Sequence, residues 1–137
     1  HAEFFLPEAG LGIIPDTGAV RLPRILPPAV ATEVLIGGRR LDAREAERWG
    51  LVNRVVPVAD LRAAALELAG RISASAPLAV EAVLAIDRAT RHLSLEEAFA
   101  HLRSGDLEAY ERMLASKDAQ EGLQAFVEKR DPHWQGS

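Results

Sequence analysis

The chain has 137 residues, a length that suits one domain with a modest core. Hydrophobic residues make up 48% of it, which excludes disorder throughout, and the apolar content is mostly Ala, Leu and Val, a composition typical of helices. The net charge is −4 and the basic residues are scattered, which argues against a nucleic-acid groove. Cysteine is absent, so disulfides and thiolate metal sites are excluded, and a reducing, cytoplasmic compartment is expected.

The ends of the chain and its apolar runs give two further expectations. No uninterrupted apolar run approaches the length of a membrane span, and no signal-peptide pattern is present, so we expect no membrane partner. The sequence opens with His1 inside a strand-like run, which predicts a fragment of a longer protein.

The first informative stretch joins an apolar run to a carboxylate. Phe4 to Leu6 read as a buried strand that stops at Pro7, because proline cannot donate to a sheet ladder. Glu8 would then be the first polar side chain at the strand end, where a carboxylate can serve as a general acid or base. The alternative is that Glu8 begins a helical turn, since the helix dipole favours acidic residues there. The stretch alone leaves both interpretations open.

The rest of the first half predicts short helices and one extended segment. The helices run over 17–22, 28–36 and 42–49, and the β-branched segment 51–56 reads as a short strand or extended chain. Asp16 is expected to cap the first helix, since its carboxylate can accept from the open amides of the first turn. Asp42 and Glu45 have the spacing of a capping box.

The second half is helical by pattern. Helices are predicted from residue 60, over 78–90, from a second capping box at Ser94 and Glu97 through Gly105 to about residue 114, and from Asp118 to Lys129-Arg130. The cations in the last turn and the proline just beyond it are ordinary helix-stop signals.

Few clusters of residues suggest a catalytic or ligand-binding site. The four histidines are far apart, so we expect no metal site. Gly37-Gly38-Arg39-Arg40 could hold a phosphate, but a helix exit followed by solvated arginines explains it as well. Phe126 and Lys129 are three residues apart, so they are predicted to share a helix face, where a ring and an ammonium could stack an adenine and pair with a phosphate. The alternative is a core Phe beside a solvated Lys.

Several stretches together resemble the enoyl-CoA hydratase/isomerase (crotonase) superfamily. They are Phe5-Leu6-Pro7-Glu8-Ala9-Gly10-Leu11-Gly12-Ile13-Ile14-Pro15-Asp16, Arg21-Leu22-Pro23-Arg24, the run from Ala43 to Pro57, and the ending Glu121 to Arg130. Their order and spacing match from end to end. The family's complete subunit is about twice as long, so the resemblance implies that this chain corresponds to its C-terminal half.

The resemblance implies an α/β fold. Residues 1–77 would be the C-terminal part of a crotonase-like ββα spiral, with strands at 4–6 and 51–56. Residues 78–137 would be a helical region that packs in a homotrimer, and two trimers commonly stack in such enzymes. The implied partners are an acyl-CoA substrate and further copies of the subunit.

The resemblance also assigns residues. Glu8 falls on the second of two family glutamates that act on the Cα–Cβ bond of the substrate, and would deliver or remove the Cα proton. The backbone N–H of Asp16 would help to hold the reacting water. Phe126 and Lys129 fall on the pair that contacts the adenine and phosphates of CoA. No cofactor is implied, because CoA is part of the substrate.

The implied activity is addition or removal of water across the α,β bond of an enoyl-CoA thioester. Stretches 26–30, 38–41, 72–79, 103–105 and 129–136 most resemble family members that act on carnitine-derived CoA thioesters. The alternatives are a general short-chain enoyl-CoA hydratase or isomerase and, from another class, a non-catalytic CoA-binding or assembly piece.

Two departures from the family pattern bear on activity. The loop between Pro15 and Arg21 is one residue shorter than usual, directly beside the implied site. The other family glutamate and both oxyanion-hole amides belong to the family's N-terminal half, so this chain alone is expected to be inactive.

Overall fold

A computed structural model describes all 137 residues of the chain. The chain forms two compact units, His1–Leu61 and Arg62–Ser137. By length and composition, none of the single helices could span a membrane, and the bent pair Val58–Ser73 and Pro77–Thr90 passes that test only when the two are taken together.

The sheet of the first unit consists of two very short strands. Strand β1 spans Glu3–Phe4 and strand β2 spans Leu41–Asp42, and they pair antiparallel, with Phe4 opposite Leu41. The predicted strand over 4–6 is therefore shorter and begins one residue earlier. β2 has no counterpart in the sequence prediction.

Three helices of the first unit follow the predicted order. They are α1 (Asp16–Arg21), α2 (Pro28–Leu35) and α3 (Ala43–Arg48), with a 3₁₀ turn at Leu22–Arg24 after α1. The capping box at the start of α3 is confirmed: the Glu45 N–H donates to Asp42 Oδ1 at 2.8 Å and the Asp42 N–H donates to Glu45 Oε2 at 3.2 Å. The prediction that Asp16 caps α1 is wrong, because Pro15 holds the cap position and Asp16 is the first helical residue.

The segment 51–56 contains no strand. Its Val55 N–H donates to the side chain of Glu47 at 2.8 Å, so this ladder donor is already satisfied by a neighbouring carboxylate. The predicted strand is therefore not formed: residues 51–53 are a bend and residues 54–56 have no regular secondary structure.

The core of the first unit lies between α2 and the sheet. Its buried members are Leu26, Val30, Ala31, Val34 and Leu41. Half-buried residues packed against them are Phe4, Leu6, Leu22, Trp49 and Leu51. Because β1 contributes Phe4 to this core, the strand that leads to Glu8 is held by apolar packing as well as by its ladder.

The second unit is helical. Its helices are α4 (Leu61–Ser73, whose first residue belongs to the first unit), α5 (Pro77–Thr90), α6 (Leu95–Leu102), α7 (Glu108–Leu114) and α8 (Lys117–Glu128). α5 packs on α7, and the Arg112 guanidinium pairs with the Glu81 carboxylate between them. The capping box at the start of α6 is confirmed, with the Glu97 N–H donating to Ser94 Oγ at 3.3 Å.

The prediction of one long helix from Ser94 to residue 114 is wrong. The helix is interrupted between α6 and α7, where Gly105 has a φ of 82°. A left-handed residue cannot continue a right-handed helix, and glycine adopts this conformation at little cost. Apolar residues recur at helical spacing on both sides of Gly105, so the pattern predicts one continuous helix.

Candidate functional site

Glu8 lies at the end of the segment that β1 begins. Pro7 adopts a helical backbone conformation (φ −84°, ψ −5°), and Glu8 is the first residue of a 3₁₀ turn, Glu8–Leu11. The two interpretations of Glu8 are therefore compatible, because it follows the strand segment and also begins a helical turn.

The turn after Glu8 closes through its own backbone. The Gly12 N–H donates to the Ala9 carbonyl at 3.2 Å, and the Ile13 N–H donates to the Glu8 carbonyl at 3.1 Å. Gly12 has a φ of 79°, which a residue with a Cβ adopts only with strain. These contacts fix the backbone of Glu8.

The carboxylate of Glu8 has an unusual environment. Its Oε2 atom is buried and has no hydrogen-bond partner within the chain. Leaving a buried acceptor unsatisfied costs about 1–3 kcal/mol, so such an atom in a native protein calls for an explanation, and a catalytic role is one of the recognised ones. Neither strand packing nor helix capping employs this oxygen.

Asp16, the second predicted site residue, lies at the N-terminus of α1. Its side chain is exposed, and its backbone N–H has no backbone acceptor, as is usual in the first turn of a helix. Gly18, two residues later, packs tightly against Leu6, and a Cβ placed on Gly18 would lie 2.5 Å from Leu6 Cδ1. α1 therefore contacts the same segment that presents Glu8.

An apolar cleft of about 520 Å³ lies in the first unit beside this segment. Its walls come from β1, α1 and α2, and they include Phe5, Leu6, Gly18, Leu22 and Val34. Glu8 does not line the cleft. The size and apolar lining fit the general character of small-molecule sites.

The other two predicted site residues lie at the C-terminal end of α8, in the second unit. The Phe126 side chain is 84% exposed, so the alternative of a core phenylalanine is wrong. Lys129 follows the last helical residue and has a left-handed backbone, with φ 54° and ψ 42°. The prediction that the two share a helix face is wrong, because the helix ends at Glu128, and no cation–π contact joins them.

The end of α8 is a Schellman motif with lysine where glycine is usual. The Arg130 N–H donates to the Ala125 carbonyl at 3.1 Å, and the Lys129 N–H donates to the Phe126 carbonyl at 3.3 Å. Lys129 is the one non-glycine residue of the chain with positive φ. Backbone strain of this kind costs about 1–2 kcal/mol and is concentrated at functional sites.

Charged side chains surround this turn. The pKa of Glu121 falls to about 2, because the Arg130 guanidinium donates to its carboxylate and the His133 N–H adds a further hydrogen bond. Glu128 also accepts from Arg130, at 2.6 Å. Arg130 is therefore fully paired, whereas no ion pair or hydrogen bond engages the ammonium of Lys129, the neighbouring cation.

No group of three or more His, Asp and Glu side chains lies close enough to hold a metal ion. The predicted site residues divide between the units, Glu8 and Asp16 in the first, Phe126 and Lys129 in the second. Sequence reasoning missed the orphaned oxygen of Glu8 and the strain at Lys129, because neither burial of one atom nor a φ value leaves a signal in the sequence.

The sequence profile of the enoyl-CoA hydratase/isomerase family matches residues 1–137. The chain belongs to this family. It is 55% identical to the carnitinyl-CoA dehydratase of Salmonella arizonae and 56% identical to that of Proteus mirabilis, in each case over 99% of this chain and 52% of the relative. The chain thus spans about half the length of the curated relatives that it matches.

Solved structures agree with this membership. An enoyl-CoA hydratase from Mycobacterium marinum matches 99% of this chain with a TM-score of 0.86 and 36% identity, and this chain covers 53% of it. The enoyl-CoA hydratase from Bacillus anthracis matches 99% with a TM-score of 0.87 and 37% identity, and 52% of it is covered. The predicted fold class, a crotonase-like α/β fold, is therefore confirmed, and the small sheet with many helices is the part of it seen here. The division at residue 77 into core and trimerisation region stays a prediction.

Proposed function

We propose that this chain supplies the acid–base glutamate and the CoA-binding helix of an acyl-CoA hydro-lyase. The reaction adds water across the α,β bond of an enoyl-CoA thioester: the hydroxyl bonds to Cβ, and a proton bonds to Cα. The reverse reaction removes both. The observation that carries the proposal is the buried, unpartnered Oε2 atom of Glu8.

Glu8 suits the proton transfer at Cα. A general acid or base needs an oxygen that is free to meet a substrate proton, within a backbone that does not move during the reaction. The Glu8 backbone is fixed by the 3₁₀ turn and by the hydrogen bond from Ile13, while its Oε2 atom has no protein partner. A substrate Cα–H would supply the missing contact.

Glu8 alone does not complete the reaction. Hydration needs a second group to activate water and amide donors to stabilise the enolate oxygen that forms when Cβ is attacked. We infer that these groups come from the part of the protein that corresponds to the other half of the relatives. The N–H of Asp16 would hold the reacting water, a role supported by its free position in the first turn of α1.

The end of α8 suits the nucleotide of CoA. Phe126 presents an exposed aromatic ring for adenine stacking, and Lys129 presents an unpaired ammonium for a phosphate. Phe126 and Leu123 lie three residues apart on α8 and are 84% and 73% exposed, and an apolar patch of this kind is typical of a surface that a ligand or another subunit covers. We infer that the ring is covered in a homotrimer or a dimer of trimers. CoA is part of the substrate, so the proposal involves no separate cofactor.

Within this reaction type we propose interconversion of carnitinyl-CoA and crotonobetainyl-CoA. The support is the identity of 53–56% to proteins named carnitinyl-CoA dehydratase, compared with 32–40% to the structures named as enoyl-CoA hydratases. The trimethylammonium group of such a substrate would distinguish it from a plain short-chain enoyl thioester.

A substrate panel on the full-length protein that carries this chain tests the proposal. We expect kcat/KM to be higher for hydration of crotonobetainyl-CoA than for hydration of crotonyl-CoA. The loss of the enoyl thioester absorbance measures both rates. Hydration of crotonyl-CoA alone would remove the carnitine proposal and leave a general hydratase. Turnover of neither thioester would contradict the enzyme proposal and favour a CoA-binding or assembly role.

A further inference from the structure

The residues after α8 turn back along the helix. We call residues 131–137 the C-terminal tail. The Asp118 side chain, in the first turn of α8, is buried, with only 2% of the residue exposed, and its carboxylate receives two backbone N–H groups of this tail. Gln135 donates to Oδ1 at 2.7 Å and Gly136 donates to Oδ2 at 2.9 Å. Both oxygens of a buried carboxylate are thus committed to holding the tail.

A second carboxylate of α8 holds the start of the tail. Glu121 accepts from the two terminal nitrogens of Arg130 at 2.6 and 2.9 Å, and from the His133 N–H at 2.9 Å. Asp118 and Glu121 are one turn apart, so the tail is fastened at two successive positions of the same helix. Such paired contacts to planar carboxylates define position as well as adding energy.

Trp134 adds an apolar contact between these two positions. A Cβ placed on Gly122 would lie 3.3 Å from Cη2 of the Trp134 ring, so the ring packs directly on the α8 backbone. The indole N–H donates to the carbonyl of Ala74 at 2.8 Å, just beyond the end of α4. The tail therefore ties α8 to the chain that connects α4 and α5.

The tail contacts one face of α8, and Phe126 lies beside that face. Asp118, Glu121 and Gly122 contact the tail, at the i, i+3 and i+4 spacing of one helix face. Phe126 lies outside this set and is exposed, and Lys129 follows at the helix end. The tail thus packs along α8 next to Phe126 and leaves both Phe126 and Lys129 exposed to solvent.

We propose that the C-terminal tail is a positioning element for CoA recognition: by fastening Asp118 and Glu121, it fixes the end of α8 that presents Phe126 and Lys129. This inference rests on the proposed function. Its specific consequence is that loss of the tail weakens recognition of the nucleotide portion of the substrate and leaves the acyl chemistry at Glu8 unchanged.

The test compares two thioesters of one acyl group in the full-length protein. One is the CoA thioester, and the other is the pantetheine thioester, which lacks the nucleotide. In Asp118→Asn, the side-chain NH₂ group would face a backbone N–H of the tail, and a hydrogen bond would be lost. We expect KM for the CoA thioester to rise roughly tenfold or more, since small displacements of positioning groups have effects up to about 100-fold. KM for the pantetheine thioester and kcat for both should stay within about twofold.

Two further variants keep the test decisive. Asp106→Asn changes an exposed carboxylate in the loop between α6 and α7 and should leave both KM values unchanged. A chain that ends at Pro132 exposes Asp118 to water, so it tests the tail even where Asp118→Asn does not fold. This shortened chain is expected to show the same selective rise in KM.

The outcomes separate the tail from the proposed function. A rise that is equal for the two thioesters, or no rise in the chain ending at Pro132, overturns the inference. If the unmodified protein turns over neither thioester, the proposed function fails instead.

Discussion

Phe4 lies opposite Leu41 in the antiparallel pair of β1 and β2, and Leu41 is the largest side chain of the chain that is wholly buried. This pair joins the segment that leads to Glu8 to the apolar core formed mainly by α2. Glu8 follows Phe4 by four residues, with Pro7 between them. The position of the candidate catalytic carboxylate thus depends on packing in the first unit.

The first prediction concerns this core. Leu41→Ala should lower the free energy of unfolding by about 2–5 kcal/mol, because it removes buried methyl groups and leaves a cavity between the sheet and α2. Ile36→Ala is the matched control, since Ile36 is 73% exposed and its loss should change stability by about 0.5 kcal/mol or less. Urea unfolding curves measure both. Equal effects of the two substitutions would contradict the assigned core.

The second prediction concerns the contact of α1 with the Glu8 segment. Gly18→Ala should destabilise the protein by about 1 kcal/mol relative to Gly10→Ala, because the new Cβ would lie 2.5 Å from Leu6 Cδ1 and 3.3 Å from Pro15 Cβ and the Leu6 side chain must move away. Gly10→Ala is the control, since nothing lies within 4 Å of a Cβ there and its φ is not positive. We also expect Gly18→Ala to lower kcat more than Gly10→Ala does. Thermal unfolding and steady-state rates of the two variants would show the difference, and tolerance of Gly18→Ala in both measurements would count against this packing.

The third prediction separates strain from binding at Lys129. Lys129→Gly should raise the free energy of unfolding by about 0.5–1 kcal/mol, because glycine relieves the left-handed strain at a cost in unfolded-chain entropy. The same variant should bind CoA about three- to tenfold more weakly, since it loses a cation. Calorimetric titration with CoA gives the affinity.

Lys129→Ala is the control for this third prediction. It lacks the ammonium but keeps the strain, so it should lose the same affinity without any gain in stability. If Lys129→Gly were stabilising and bound CoA as tightly as the parent protein, Lys129 would have no role in the CoA site.

The fourth prediction is a pH dependence. The pKa of the Glu121 carboxylate lies at about 2 in the folded protein because of its hydrogen bonds from Arg130 and His133, compared with an ordinary value of 4.5. A depressed folded pKa contributes stability that is present above the unfolded value and is lost as the pH falls towards the folded value. The stability advantage of the parent protein over Glu121→Gln should therefore persist at pH 5–7 and shrink between about pH 4.5 and 2.

Unfolding curves at pH 6, 4 and 3 measure this advantage, with Glu111→Gln, an exposed position on α7, as the control. Salt should diminish the advantage at each pH, because the pair is partly exposed. An advantage that does not depend on pH would contradict the assigned ion pair.

Local signals in the sequence predicted much of the fold. Both capping boxes, at Asp42 with Glu45 and at Ser94 with Glu97, are present, because every atom they need lies within one helical turn. Helix α2 was predicted to within one residue, between its initial proline and the glycine pair at 37 and 38. Such signals depend only on residues close together in the sequence, so they can be identified without a structure.

Features that depend on distant residues could not be predicted in this way. β2 has two residues, too few for an alternation pattern, and it exists because β1 pairs with it across 37 residues or more. Asp118 was assigned to a helix start, whereas its carboxylate holds Gln135 and Gly136. The sequence does not distinguish an acidic residue that begins a helix from one that binds a distant segment, since the difference depends on which part of the chain packs against it.

The candidate site was predicted only in part from the residues themselves. The pattern around Glu8 left two interpretations open, and the resemblance to the crotonase superfamily supplied the chemical role. The structure adds that Glu8 Oε2 is buried without a partner and that Phe126 is exposed. Both properties are compatible with the proposed roles of these residues, and neither could be derived from composition or periodicity.

The most direct test of the central claim is the rate of Glu8→Gln in the full-length protein with crotonobetainyl-CoA. Glutamine keeps the shape of the side chain but cannot exchange a proton with Cα, so kcat should fall by about 10²–10⁴-fold while KM stays within a few-fold. Glu3→Gln, which changes an exposed carboxylate of β1 paired with Arg40, should keep nearly full activity. A Glu8→Gln enzyme with unchanged kcat would show that Glu8 is not the proton-transfer group.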